Sequence, residues 1–290
     1  MELVMGPLPA GPKADLQLKV HTEQAEDGYR IRLVSYQAEV GDRAPAYVLL
    51  PARTKSRLPA VVCLHQTTAI GKSEPAGLGG KPNLHYAADL ARLGFVTIAP
   101  DYPGFGDYKF DSYAHGYLSA TMKGIVNHMR AVDLLQALPE ADPRRIGAIG
   151  HSLGGHNALF LAAFDERIRA VVTSCGFTSF RRYMGGDLTG WSHRGYMPRI
   201  ASEYGKSPEQ MPFDFSDVLE AIAPRPVFVN APLNDSNFDA TGVDEAVQQA
   251  EHAGGARSSG RITVRHPAAG HDFPADIRKE AYGFLSRSLS

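Results

Sequence analysis

The stretch of the chain that decides the fold is Arg145-Ile146-Gly147-Ala148-Ile149-Gly150-His151-Ser152-Leu153-Gly154-Gly155-His156. The apolar run from Ile146 to Ile149 predicts a short buried strand, and the apolar residues 157–163 predict a helix directly after the stretch. The two glycines around Ser152 leave room only for a tight turn between strand and helix. The stretch therefore predicts a strand, a sharp turn and a helix, with Ser152 at the turn.

Gly150-His151-Ser152-Leu153-Gly154 fits the Gly-x-Ser-x-Gly pattern of a nucleophile elbow. In such a turn the serine has a strained backbone, and a side chain at either glycine would collide with a neighbouring strand or helix. The N-terminus of the following helix points free N–H groups at the same place, which favours an anionic intermediate. The alternative is an ordinary loop in which two glycines happen to bracket a serine, but the strand and the helix on either side favour the elbow.

The composition limits the possible partners. The formal net charge over 290 residues is -1, and no block of like charges occurs. We therefore expect a small molecule as the partner, and neither nucleic acid nor a membrane. The even composition predicts one domain over residues 1–290, with residues 1–27 as an N-terminal arm. No run of about 18 apolar residues and no leader-like N-terminus occurs, so the sequence predicts a cytoplasmic protein unless a leader has been removed. The oligomeric state is left open.

No metal and no cofactor are expected. Cys63 and Cys175 each lie in an apolar run that predicts a buried, inert thiol. His151 and His156 would not share a helix face well, and no His, Cys, Asp or Glu cluster has the spacing of metal ligands. The segment 71–73, Gly-Lys-Ser, resembles the end of a phosphate-binding loop, but glutamine stands where that motif requires its first glycine.

Strand-like and helical segments alternate along the chain. This alternation predicts an α/β protein with a mostly parallel central sheet, helices on both faces and an antiparallel pair at one edge. In such sheets ligands bind at the carboxyl ends of the strands. Five polar residues each follow a predicted strand and are expected to meet at this rim: His65, Asp101, Ser152, Asp235 and His271.

A serine hydroxyl needs a base within hydrogen-bond reach, and the base needs an acid that orients it. His271 lies after the last predicted strand and directly before the last helix, so we expect it to be the base. His151 and His156 flank the serine on its own turn and helix, where packing and supporting hydrogen bonds are the expected roles.

Two aspartates could be the acid, because Asp235 and Asp239 both follow the strand predicted over residues 227–231. Pro232 prevents a further ladder hydrogen bond, so the chain turns at residues 233–234 and presents Asp235 at the rim. Asp239 lies further away, where solvation or capping of the helix that begins near Val243 is the expected use. We therefore predict Asp235 as the acid.

The segment 177–212 has no regular hydrophobic period and is predicted to be a cap insertion over the site. Its aromatic and sulfur side chains, together with residues from other loops at the rim, are the candidates for binding substrate. Packing in the core is the equal alternative for the aromatic ones. The candidate substrate-binding residues are His65, Thr67, Phe105, Tyr108, His151, Trp191, Tyr196 and Met197.

The elbow, the terminal Gly270-His271-Asp272-Phe273, the Pro-Arg-Pro at 224–226 and the turn 101–106 together resemble the α/β-hydrolase superfamily. The resemblance extends from about Gly28 to the C-terminus and is to the dienelactone hydrolase and acetyl xylan esterase-like branch. It implies a Ser152, Asp235 and His271 triad. The serine stands where dienelactone hydrolases carry cysteine, which favours ordinary carboxylic esters.

The N–H groups of Leu153 and Gln66 are the expected oxyanion donors, with Thr67 as the alternative to Gln66. Residues 65–68 read His-Gln-Thr-Thr where many esterases carry His-Gly-Gly-Gly. The expected activity is hydrolysis of a small carboxylic ester (a sugar acyl ester, an aryl ester or a lactone) through an acyl-enzyme. A peptidase of the prolyl oligopeptidase type and a non-catalytic binding protein on the same fold are the alternatives.

Overall fold

The computed structural model describes residues 1–11, 13–52, 56–255 and 260–290. Its strands are β1 (Lys19–Glu26), β2 (Tyr29–Glu39), β3 (Asp42–Pro51), β4 (Leu58–Leu64), β5 (Val96–Pro100), β6 (Ala141–His151), β7 (Ile168–Ser174), β8 (Val227–Asn230) and β9 (Ile262–Arg265). Its helices are α1 (Glu2–Met5), α2 (Tyr86–Arg92), α3 (Ala120–Ala137), α4 (Leu153–Phe164), α5 (Arg199–Ser202), α6 (Phe215–Ile222), α7 (Ala240–Gly254) and α8 (Ala275–Ser288).

The strands form one nine-stranded sheet in the order β1-β2-β3-β5-β4-β6-β7-β8-β9. Strands β4 to β9 run parallel to one another, while β1, β2 and β3 form an antiparallel meander that joins the sheet through β5. The predicted α/β architecture with a mostly parallel sheet is therefore confirmed.

The antiparallel edge has one strand more than the predicted pair. Residues Lys19–Glu26, which the sequence analysis assigned to the N-terminal arm, form β1 against β2. All eight side chains of β1 are exposed, so the strand lacks the alternation of apolar and polar residues by which a half-buried strand is detected. Of the described residues before β1, only 6–11 and 13–18 form an irregular arm, which follows the short helix α1.

Helices cover both faces of the sheet, as parallel strands require. Apolar side chains of α3, α4, α6 and α7 pack on one face, and those of α2 and α8 pack on the other. None of the described helices combines the length and the apolar character needed to cross a membrane. Because β4 to β8 run parallel, their carboxyl ends all lie at the same edge of the sheet, and this edge is the rim where the candidate site lies.

The segment 177–212 lies between β7 and α6 and consists mainly of short turns with the single-turn helix α5. An aromatic cluster fills it: the Trp191 ring lies within 6.0 Å, centroid to centroid, of Phe180, Tyr183, Phe215 and Phe238. Aromatic packing therefore supplies the order that regular secondary structure does not supply here.

Candidate active site

Ser152 lies between the last residue of β6 and the first residue of α4. Its backbone has φ 53° and ψ -118°, a region that residues with a side chain rarely adopt. Its N–H donates to the carbonyl oxygen of Ser174 at 2.8 Å, which ties the turn to the end of β7. The strained turn predicted at this serine is present.

The glycines of the elbow are required by close backbone contacts. A Cβ atom on Gly150 would lie 2.1 Å from the carbonyl oxygen of Gly154. A Cβ atom on Gly154 would lie 1.9 Å from the carbonyl oxygen of Leu64, at the end of β4. Because both neighbours are backbone atoms, neither contact can be relieved by turning a side chain, and the predicted collisions are confirmed.

Asp235 and His271 are hydrogen-bonded to each other. His271 Nδ1 lies 3.0 Å and 2.9 Å from the two carboxylate oxygens of Asp235. The Asp235 side chain is fully buried, whereas that of His271 is 24% exposed. Burial raises the pKa of Asp235, but hydrogen bonds from His271 and from the N–H groups of Asn237 and Phe238 outweigh it and lower that pKa below its usual value. The ionised carboxylate accepts the Nδ1 proton, which leaves Nε2 of His271 as the free base nitrogen.

Asp239, the other candidate acid, makes no such contact. Its carboxylate accepts a hydrogen bond from the N–H of Gly242 at 3.0 Å and caps α7. Of the two aspartates, the structure brings only Asp235 to His271.

The loop that carries His271 is held through the next residue, Asp272. The carbonyl oxygen of Asp272 accepts a hydrogen bond from Asn230 Nδ2 at 2.9 Å and one from Cys175 Sγ at 3.4 Å. Its carboxylate accepts from Asn83 Nδ2 at 3.0 Å. The sequence analysis missed Asn83 and Asn230, because no local pattern marks a side chain that supports a loop distant in the chain.

His151 is a buried neighbour of His271. The two ring centroids lie 4.9 Å apart, and His151 Nδ1 is 2.9 Å from Ser174 Oγ. Burial, together with the nearby His271, lowers the pKa of His151 to about 3. The ring is therefore neutral at neutral pH. Because it has no exposed surface, the structure does not bring it to the rim as a substrate-binding residue, and it supports His271 through ring packing.

Ser152 and His271 follow different strands but are linked through neighbouring residues. Ser152 is bonded to Ser174 at the end of β7, and His271 packs on His151, the residue before the serine. Among the described residues, Ser152 Oγ has no hydrogen-bonding partner and no bond joins it to His271. Hydrogen bonds between nucleophile and base are often long in free enzymes and shorten when substrate binds.

The loop after β4 carries Gln66 and is braced on both sides. Gln66 Nε2 donates to both carboxylate oxygens of Glu74, at 3.0 Å and 2.9 Å. His65 Nε2 accepts the N–H of Tyr102 at 3.0 Å, so its Nδ1 carries the proton and donates to the carbonyl oxygen of Gln66 at 2.6 Å. His65 is only 2% exposed. The structure thus places His65 as a support for this loop and does not bring it to the open rim.

The remaining candidate substrate-binding residues fall into two groups. Thr67 is exposed at the rim, while Phe105 and Tyr196 are half-buried and pack against the small apolar cluster of Tyr102, Ala120 and Leu153. Three others are buried: Trp191 in the aromatic cluster, Met197 without exposed surface, and Tyr108 with its hydroxyl donating to Asp42 at 2.7 Å. The structure does not bring these three to the rim, because aromatic and sulfur side chains also satisfy the need for core packing.

Cys175, Asp235 and His271 each offer a possible metal-ligand atom, and these atoms lie within 4.8 Å of one another. The sequence analysis found no such cluster because the three residues are far apart in the chain. Burial raises the pKa of the Cys175 thiol well above its usual value, so the thiol stays protonated and is a poor ligand. Asp235 and His271 are also already hydrogen-bonded to each other.

The nine-stranded, mostly parallel sheet and the strained serine turn after β6 define an α/β-hydrolase. Residues 83–279 match the model of the prolyl oligopeptidase family, and the chain belongs to that family. The Bacillus subtilis (strain 168) protein named "Putative hydrolase YtaP" is 30% identical over 264 residues, which cover 86% of this chain and 84% of that protein. The predicted membership of the α/β-hydrolase superfamily is confirmed.

Two solved structures illustrate the fold. A glucuronoyl esterase from Solibacter usitatus superposes with a TM-score of 0.74 at 17% identity and covers 99% of this chain and 89% of its own. An acetyl xylan esterase from Paenibacillus sp. R4 gives a TM-score of 0.71 at 20% identity, covering 95% of this chain and 90% of its own. At this identity the likeness establishes the shared fold, and closeness to dienelactone hydrolases in particular stays a prediction.

Proposed function

We propose that this chain is a serine hydrolase that cleaves a carboxylic ester of a small molecule through an acyl-enzyme. The observation that carries the proposal is the hydrogen-bonded pair of Asp235 and His271 beside the strained Ser152 turn. The esterase activity named for the two structural neighbours supports the ester as substrate. The near-zero net charge supports a small neutral molecule over a nucleic acid.

The first step forms the acyl-enzyme. Ser152 Oγ attacks the ester carbonyl carbon while Nε2 of His271 takes the hydroxyl proton, which makes the imidazole a cation. The buried carboxylate of Asp235 stabilises that cation and keeps the second proton on Nδ1. The imidazolium then gives its proton to the leaving alcohol.

Negative charge develops on the carbonyl oxygen of the substrate, and two backbone N–H groups stabilise it with hydrogen bonds. We assign these to Leu153, the first residue of α4, and to Gln66, whose loop is held by Glu74 and His65. Losing one such donor costs about 3 kcal/mol of transition-state stabilisation. A water molecule, activated by His271, then hydrolyses the acyl-enzyme by the same steps in reverse.

Peptide-bond hydrolysis is the second candidate, because prolyl oligopeptidases give the family its name. The same three residues would serve it, and only the leaving group would differ. A non-catalytic binding protein would not need these three residues in any particular arrangement. In this structure Asp235 and His271 are hydrogen-bonded in the arrangement that catalysis requires.

The test combines labelling with turnover. Wild-type protein should react with a fluorophosphonate at Ser152 and hydrolyse p-nitrophenyl and carbohydrate esters faster than peptide amides. Ser152→Ala should lose the label and nearly all turnover, and His271→Ala should be comparably damaging, because triad members act as a unit. Ser192→Ala, in the cap, is the matched control and should keep both.

Retention of most esterase activity by Ser152→Ala would refute this assignment of the nucleophile. A wild-type protein that takes the label but prefers amides would favour the peptidase. A wild-type protein that takes no label would favour the binding protein.

A further inference from the structure

A small apolar cluster, separate from the two layers of the core, lies beside the elbow. Tyr102, Ala120 and Leu153 are buried in it, and Phe105 and Tyr196 pack against it while remaining partly exposed. One of the buried members, Leu153, is the residue whose N–H is a proposed oxyanion donor. The two partly exposed rings form the wall of this cluster that faces solvent.

Tyr196 connects the cap to the loop that carries the other proposed donor. Its ring packs against the cluster that contains Leu153, and its Oη lies 2.8 Å from Oγ1 of Thr67, the residue after Gln66. Tyr196 therefore links this cluster to the loop that carries Gln66. The hydrogen bond between Tyr196 and Thr67 has no role in the mechanism of Ser152, Asp235 and His271.

The backbone around Tyr196 is held in place from three sides. Tyr102 Oη donates to the carbonyl oxygen of Gly195 at 3.0 Å, and the N–H of Tyr196 donates to His193 at 2.9 Å. The N–H of Thr121, at the start of α3, donates to the carbonyl oxygen of Tyr196 at 3.4 Å. With the main chain fixed, the bond to Thr67 fixes the ring as well.

The position of the leaving alcohol decides which half of the ester meets this wall. The alcohol must leave next to His271, because His271 protonates it. Among the described residues, the rings that lie against His271 are those of His151 and Phe238, whereas the ring of Tyr196 lies against His156, Trp191 and His193. The acyl chain extends from the carbonyl carbon on the side away from the leaving alcohol, which is the side where we place the wall of Tyr196 and Phe105.

We propose that Tyr196, held by Thr67, is the specificity-determining residue for the acyl group and restricts the enzyme to esters of short acyl chains. The inference rests on the proposed function and adds to it the size of one half of the substrate. The aromatic walls favour an apolar chain, and the hydrogen bond to Thr67 holds Tyr196 in the position that limits its length.

The experiment measures kcat/KM for p-nitrophenyl acetate, butyrate and octanoate. Wild type should prefer acetate. Tyr196→Ala removes the wall, and each methylene that gains apolar contact is then worth about fourfold, so the ratio of butyrate to acetate should rise by about 15-fold. Tyr204→Phe, at a tyrosine whose hydroxyl donates to the carbonyl oxygen of Leu3, is the matched control and should keep the wild-type ratio.

Two conservative variants test the hydrogen bond itself and do not depend on whether Tyr196→Ala folds. Tyr196→Phe and Thr67→Val each remove one partner and should each raise the ratio roughly 2- to 10-fold. Because both break the same bond, the double variant should match either single variant. Additive effects, or unchanged ratios in folded protein that still takes the fluorophosphonate label, would overturn the proposal and leave ester hydrolysis intact. Absence of the label in wild type would overturn both.

Discussion

Acid should destabilise this protein at a pH where ordinary carboxylates are still ionised, because it buries neutral histidines, three of which have strongly lowered pKa values. Burial is the main cause that lowers the pKa of His128, His151 and His156 from 6.5 to about 3 each. Between these two pH values the unfolded chain binds protons at the three rings and the folded chain does not. The free energy of unfolding must therefore fall as the pH drops below 6.5.

The size of the effect at about pH 5 follows from the same pKa values. Each ring costs about 2 kcal/mol there, so the three together cost about 6 kcal/mol. Asp214 acts in the opposite direction, because burial raises its pKa to about 6 and the folded state takes up a proton. That uptake stabilises the folded state by about 1 kcal/mol, which leaves a net loss of about 5 kcal/mol in the free energy of unfolding. Since typical domains are stable by about 5 to 15 kcal/mol, this loss is a large share of the total.

Urea unfolding at about pH 7.5 and about pH 5 measures this difference, with the fluorescence of the single, buried Trp191 as the signal. His128→Phe should reduce the difference between the two pH values by about 2 kcal/mol, whatever its packing costs at neutral pH. His252→Phe, at an exposed position of α7, is the control and should leave the difference unchanged. A wild-type free energy of unfolding that changes by less than about 1 kcal/mol would refute the reasoning.

Three further predictions concern single side chains. Asp235→Asn should lower turnover on an activated ester by up to about 10⁴-fold, whereas Asp239→Asn should cost far less; the reverse result would make Asp239 the acid. Trp191→Ala should lower the free energy of unfolding by about 3 to 5 kcal/mol, because the ring is 2% exposed within the aromatic cluster; circular dichroism in urea measures it, and a loss below about 1 kcal/mol would contradict that burial. Gly154→Ala should abolish fluorophosphonate labelling, because its Cβ would lie 1.9 Å from Leu64; normal labelling would show that the turn can relax.

The sequence predicts the parts of this molecule that depend on short, strongly patterned segments. The elbow is one, because its glycines are required by contacts within a few residues and with the adjacent strand. The choice of Asp235 over Asp239 is another, because a proline next to the strand end limits where the chain can turn. Both features agree with the observed geometry.

Other parts depend on contacts that sequence distance conceals. Asn83, three residues before α2, and Asn230, the last residue of β8, hold the loop of His271 although they are distant from it in the chain. Strand β1 buries none of its side chains, so its sequence lacks the alternation of apolar and polar residues that predicts a strand. In the segment 177–212, composition marks the aromatic residues but cannot separate Trp191, which packs inward, from Tyr196, which reaches the rim.

The exposed strand β1 has a consequence for how this protein behaves in concentrated solution. It lies at the outer edge of the sheet, where the backbone groups facing away from β2 can pair with another chain and seed aggregation. The strand carries safeguards against this: charged side chains along its length and an irregular register at His21, which twists the edge. Replacing those charges with apolar residues would remove the protection without touching the site, and self-association would be the first property to change.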